Sequence, residues 1–349
     1  MSERVAARLA PIPRFKGPSA VTPDKSVALF KAGDGTGAWI FNVHAASLSF
    51  AREARIDAPG AAYPIDSDYV EGYAIAFSPD GTKLFASGAF PSNPRVNLPP
   101  PNGEFIAVLN AQLTTVLARI GPLQARETFG LATLPPGPAA PHGAILAVGS
   151  RLRQGEGPGN TVDQLWVIDP TTYAVTDSLQ PEPDPPAGRD VLLTQVVASP
   201  DGQHAYVVSD AGVIYECDLV AHAAVASAPA RGTGQLAIAP DGRTLYLTDH
   251  GDYFDTPGFG QVFVYGSDLS PRPSIDLRPA FGGGVPVTTG IAVSPSDTQL
   301  YVATGTGSLG PNYGPQPLQL LIIDLTGHTP IRKIPLHDYG AATLQVLGR

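Results

Sequence analysis

One motif recurs along this chain and restricts what it can fold into: an apolar run, a turn of the Ser-Pro-Asp-Gly kind, then a second apolar run. Tyr73 to Gly88 (YAIAFSPDGTKLFASG), Gln195 to Asp210 (QVVASPDGQHAYVVSD) and Gln235 to His250 align directly, while Ser19 to Lys31 and Gly290 to Gly305 carry weaker turns. A sixth stretch, Gly130 to Gly149, keeps the apolar flanks around an enlarged turn that begins Pro135-Pro136-Gly137. Repetition at this spacing belongs to architectures in which each unit buries its apolar faces only against its neighbours.

The chemistry of one unit is legible. Proline presets φ for the turn, and Asp-Gly accepts the left-handed backbone that a tight reversal needs, so the two apolar runs form a hairpin. A third strand ends on an Asx residue, as in Leu165 to Asp169, Ile214 to Asp218, Leu320 to Asp324 and Ile106 to Asn110. The Asx side chain can cap a second turn, from which a fourth strand returns. Four antiparallel strands make a propeller blade, so the fold class expected is all-β, a β-propeller of four-stranded antiparallel blades. The blades fall near 19–56, 73–120, 128–179, 193–228, 234–276 and 289–335, within a single domain spanning 1–349. Six blades are favoured over seven, because Arg4 to Ala10 and Ala342 to Gly348 supply only two further strands, which would close the ring.

The turn prolines Pro23, Pro79, Pro135, Pro200, Pro240 and Pro295 are 56, 56, 65, 40 and 55 residues apart. The 40-residue step is a bare blade, and every other step adds roughly 15 to 25 residues. The additions fall mainly between second and third strands (Ala89 to Gly103, Ser150 to Val162, Gly251 to Gly260, Thr306 to Pro317) or between blades (Asp57 to Gly72, Pro181 to Leu193, Arg278 to Thr288). Both kinds of connection open on one face of a propeller, which is where a site is expected.

With Val167-Ile168-Asp169-Pro170-Thr171-Thr172-Tyr173-Ala174-Val175 following the proline turn of its unit, the repeat resembles the YVTN family of β-propellers. The resemblance covers most of residues 19–335. It implies a propeller usually of seven blades and a range of activities that includes lactonases, muconate-cyclising enzymes, lyases, surface proteins and non-catalytic scaffolds. Fold alone does not choose among them.

Composition narrows the partners. A formal charge of −9 with a pI near 5.2 argues against nucleic acid and anionic membranes, both of which reward clustered Lys and Arg. No run approaches 18 apolar residues and the N-terminus lacks a secretory pattern, so the cytoplasm is the expected compartment, an exported mature form being the alternative. Cys217 is the single cysteine, which rules out an intramolecular disulfide and a cysteine-based zinc cluster. Placed within a third strand, it is expected to be an inert packing residue.

No metalloprotease, Walker, nucleophile-elbow or haem motif is present, and no cofactor is expected. Gly282-Gly283-Gly284 precedes no helix and reads as an inter-blade loop. Candidate acid/base residues are His250 and His337, at strand ends that lead into the elaborated face, with Tyr313 beside them. His44, His204, His222 and His328 read as solvated turn residues. Asp249, His250 and Asp252 could ligate a divalent metal, although such Asp-rich turns are common for capping alone. Arg126, Arg151, Arg153, Arg189 and Arg278 suggest carboxylate recognition; the alternative pairs them with nearby acids such as Glu127, Glu156 or Asp190. Tyr69, Gln195, Tyr253 and Tyr339 complete the expected lining for substrate.

Two functions remain open on this reading. One is an enzyme with a pocket at the channel mouth, carrying out acid/base hydrolysis, cyclisation, isomerisation or elimination on a carboxylated or lactone-like small molecule. The other is a propeller scaffold that holds a protein or ligand without turnover.

Overall fold

The computed structural model describes residues 19–21, 27–33, 38–44, 49–56, 74–88, 105–110, 115–121, 125–152, 161–181, 192–232, 234–249, 260–281, 287–294, 296–305 and 319–335. Residues 19–21, 27–33, 38–44, 49–56, 88, 105, 116, 125–129, 150–152, 161–162, 287, 289, 303, 305, 319–320 and 334–335 are described by their backbone path alone.

Among the described residues the strands form six four-stranded antiparallel sheets, each built from four consecutive strands in chain order. They are β1 (Ser19–Val21), β2 (Val27–Gly33), β3 (Ala38–His44) and β4 (Ser49–Ile56); β5 (Ile75–Phe77), β6 (Lys83–Gly88), β7 (Phe105–Asn110) and β8 (Val116–Ile120); and β9 (Ala125–Leu134), β10 (Ala144–Leu152), β11 (Thr161–Ile168) and β12 (Val175–Leu179). The fourth sheet holds β13 (Leu193–Ala198), β14 (His204–Ser209), β15 (Val213–Asp218) and β16 (Ala223–Pro229). The fifth holds β17 (Leu236–Ile238), β18 (Thr244–Thr248), β19 (Gln261–Gly266) and β20 (Pro271–Asp276), and the sixth β21 (Val287–Val293), β22 (Gln299–Gly305), β23 (Gln319–Asp324) and β24 (Thr329–Pro335). A short 3-10 turn over Arg278–Phe281 lies in what the sequence suggested was plain loop.

First strands of successive sheets touch in series, β1 with β5, β5 with β9, β9 with β13, β13 with β17 and β17 with β21. This is the arrangement of propeller blades around an axis, with the first strand of each blade innermost.

Alternation explains the packing. On β14, Ala205 and Val207 join Leu146, Val148, Leu165 and Val167 of the preceding blade, while Tyr206 and Val208 join Leu245, Leu247 and Phe263 of the following one. A strand buried on both faces must be apolar at both parities, which is why these second strands read as continuous apolar runs. The interfaces between the second and third blades and between the fifth and sixth have cores of the same kind. Cys217 sits fully buried in the core between the third and fourth blades, and burial first, then the Glu216 charge, pushes its thiol up to about 12. A negatively charged reagent such as DTNB should label the native protein no faster than global opening exposes the strand; stoichiometric labelling within seconds would contradict that placement.

The proline turns mesh from blade to blade. A Cβ on Gly143 would stand 2.4 Å from Pro79 Cγ, one on Gly137 2.4 Å from the Asp201 carbonyl oxygen, and one on Gly242 3.2 Å from Pro200 Cδ. The enlarged turn of the third blade is therefore packed directly onto the Ser-Pro-Asp-Gly turn of the fourth.

Candidate binding face

The proline turn of the second blade is held by its own side chains. Ser78 Oγ donates to Asp80 Oδ1, the amides of Thr82 and Lys83 donate to Asp80 Oδ1 and Ser78 Oγ, and Gly81 takes φ +70°. Ser199, Asp201 and Gly202 repeat the set in the fourth blade, and in the sixth Asp297 takes glycine's place at φ +55°. The Asx residues ending third strands also cap as expected: Asp169 accepts from the amides of Thr171 and Thr172, and Asp218 from those of Val220 and Ala221. The Thr172 amide contributes most to holding the Asp169 carboxyl below its ordinary range, and the Ala221 amide does so for Asp218.

Lys83, just after a proline turn, donates to the carbonyl of Pro170 in an Asx turn at 3.0 Å, so both turn classes share one face. This turn face is occupied by its own capping chemistry. The opposite face receives the ends of the second and fourth strands, from which the connections to third strands and between blades run.

The third blade departs most from the bare unit on that connection face. Its first three strands run for 10, 9 and 8 residues, against 6 in each of the corresponding strands of the fourth blade. The connection expected over Ser150 to Val162 is thus partly strand: β10 continues to Leu152 and β11 starts at Thr161. β9 likewise begins at Ala125, three residues ahead of the expected start at 128. Its pairing with β10 shifts register twice, so that Phe129 and Arg126 are the extra residues of two β-bulges. Arg151 pairs with Ala125, which makes Arg126 and Arg151 neighbours on adjacent strands of one blade.

Gln195 lies half-buried on β13, the innermost strand of the next blade. It is level with Gly130, where a Cβ would lie 3.3 Å from Gln195 Cα and 2.8 Å from Val148 Cγ2, so these two inner strands approach closely. Arg126 is four residues earlier on β9, but two of those steps are bulges, so it lies level with the Ser150–Arg151 step of β10, about 7 to 10 Å toward the connection face. Arg278 has a different role, forming two 2.8 Å bonds from Nε and Nη2 to the Asp276 carboxylate, the pairing alternative weighed from sequence.

Other polar groups near this face are engaged with backbone. Ser87 Oγ accepts from the Ala74 amide, Thr248 Oγ1 accepts from the Gln235 amide, and Thr288 Oγ1 donates to the carbonyl of Asp249, tying the sixth blade to the fifth. Asp249 itself is buried, and no group of three or more potential metal ligands occurs among the described residues. His250, His337, Tyr313, Arg189, Tyr69, Tyr253, Tyr339, Arg153 and Asp252 lie outside the described residues.

One histidine differs from its sequence reading. His204 is half-buried, because β14 pairs it with Asp218 and places it among carboxylates: Nε2 is 3.8 Å from Glu216 and 3.9 Å from Asp218, and Nδ1 is 4.0 Å from Asp201. Burial, with help from Asp218 and Asp268 and against the pull of His204, raises the Glu216 carboxyl above its ordinary range. His222 is exposed, as expected of a turn residue, yet its Nδ1 lies 2.5 Å from Asp177 Oδ2 and links the rims of the third and fourth blades.

No family model matches the chain, and no curated protein matches it in sequence. Among solved structures, the β-propeller domain of Myceliophteria thermophila Cps50 (Swd1) aligns at a TM-score of 0.60 and 11% identity, covering 96% of this chain and 90% of that one. This likeness is one of fold. No helix of the described residues is long and apolar enough to cross a membrane.

Proposed function

We propose that the chain is a non-catalytic β-propeller scaffold that holds a protein or ligand on its connection face, at the mouth of the channel. The observation that carries this reading is the polarity of the disc: turns that cap themselves on one face, and on the other the connections to third strands and between blades, together with the lengthened strands of the third blade. The likeness to the propeller domain of Cps50 (Swd1) supports the fold that this reading needs, and the hydroxyls of Ser87, Thr248 and Thr288 are engaged with backbone groups.

The second reading is the enzyme of the YVTN-like group, with His250, His337 and Tyr313 acting on a carboxylated or lactone-like molecule. The lengths of the insertions around the channel mouth favour it. A thermal-shift screen with small carboxylates and lactones, each hit then followed for product, separates the two. The scaffold reading expects stabilisation without product. Turnover that falls by roughly 10²- to 10⁴-fold in His250→Gln or His337→Gln would install the enzyme in its place.

A further inference from the structure

We infer that the outer edge of the fourth blade, strand β16, docks an extended segment of a partner protein, apolar at alternate positions and flanked by lysine or arginine. This edge lies at the rim and is separate from the connection face, whatever that face holds.

An outer strand turns unpaired N–H and C=O groups to solvent and so offers a template to another strand, which proteins blunt with charged residues or proline. Five of the six outer strands are blunted in this way: Arg52 lies on β4, Arg119 on β8, Asp177 on β12, Arg272 on β20 and Lys333 on β24. β16 reads Ala-Ala-Val-Ala-Ser-Ala-Pro, without a charge and with proline only at its last position. Val225 stands 53% exposed on it. Among the described residues no strand pairs with its outer side.

Register decides which groups the edge offers. The Ala230 amide donates to the Gly212 carbonyl at 2.8 Å, and Ala228 is level with Ile214, so Ala230 and Ala228 turn their backbone groups toward β15. Ser227, one residue off that parity, turns its N–H and C=O outward. Pro229 shares the parity of Ser227 but has no N–H, and its carbonyl accepts from the Tyr265 hydroxyl at 3.2 Å. Ala226 and Ala228 pack against the core between the fourth and fifth blades. A strand laid beside Ser227 would gain ladder bonds there and extend that core with every second side chain, which is recognition by β-augmentation.

Size and charge choose the occupant. The seven residues of β16 span about 23 Å, and a contact along one such edge buries on the order of a few hundred Å², short of the about 1,200 Å² that a stable pair of proteins needs. A second copy would also bring a second charge of −9. One extended segment fits the edge. At the start of β16, Asp218 is level with Ala223, and Asp177 lies 2.5 Å from the adjoining His222, so carboxylates at the turn-face end favour a cationic flank.

The test is fluorescence anisotropy of labelled Lys-Thr-Val-Thr-Val-Thr-Lys with the full chain, beside Glu-Thr-Val-Thr-Val-Thr-Glu and Lys-Thr-Val-Pro-Val-Thr-Lys. The lysine-flanked peptide should bind saturably, the glutamate-flanked one roughly 3- to 10-fold more weakly, and the proline-interrupted one roughly 10-fold more weakly. Ser227→Pro should weaken the first peptide by roughly 10-fold, because it removes the outward donor while leaving the bonds to β15. Val225→Lys, at an exposed position, should also weaken it and keeps the test open if Ser227→Pro folds poorly. Absence of saturable binding, or binding that ignores both substitutions, overturns the inference. So does a concentration-dependent dimer in sedimentation that Ser227→Pro dissolves, since the occupant is then a second copy. Ligand binding or turnover at the connection face moves none of these readouts.

Discussion

Gly202→Val should destabilise the propeller by about 3 to 5 kcal/mol, the sum of a left-handed backbone and an inter-blade clash. Gly202 has φ +70°, which costs an L-residue about 1 to 2 kcal/mol and a β-branched one the upper end of that range. Its Cβ would also stand 2.7 Å from the Pro135 carbonyl oxygen and 2.9 Å from Gly137 Cα. Those atoms are backbone of the neighbouring blade, so relief requires blades to separate, not a side chain to turn. Gly242 provides the control: it has φ +73° in the same turn of the next blade, but its Cβ would meet only Pro200 Cδ at 3.2 Å. Gly242→Ala should cost about 1 kcal/mol and Gly202→Ala about 2 to 4, read from denaturant midpoints. Equal losses at the two positions would mean that the turns do not interlock. Ligand affinity should be unaffected by either change in the folded protein, because both lie on the turn face.

The fold was readable because its information is local and repeated. Ser-Pro-Asp-Gly and the Asx at the end of a third strand are chosen by turn chemistry within a few residues, and each occurrence reinforces the others. Even the departures obey that chemistry: Asp297 supplies the positive φ in a unit without the glycine. The site was less readable, since its geometry depends on pairing between strands distant in sequence. Arg126 was singled out as a charged residue in an acidic chain, but its bulge appears only once β9 is laid against β10. His204 differs from its sequence expectation for a related reason. Its turn suggested solvent, whereas the residues that enclose it, Glu216 and Asp218, arrive from β15.

Phe85→Ala should remove about 3 to 5 kcal/mol, the range for deleting a fully buried aromatic ring. Phe85 is 0% exposed on β6, within the core shared by the second and third blades that also contains Ile145, Trp166 and Ile168. Its ring meets that of Tyr173 edge-on, with centroids 6.4 Å apart. Tyr173 belongs to the Asx turn of the third blade and holds φ +63°, so this contact joins the wall of one blade to the turn of the next. Lys83 reaches the same turn, with Nζ 5.6 Å from the Tyr173 ring centre. Truncation at Phe85 leaves a cavity lined by two blades, and the cavity can close only if the wedge between them shifts. A fully exposed ring would give a loss near zero, as expected for Val225→Ala on the outer strand β16, where the side chain is 53% exposed. Phe85→Leu should recover roughly half of the deficit, because most of the volume returns without the edge-on contact. A Phe85→Ala protein that melts with the native one would show that the second and third blades are not packed through this core.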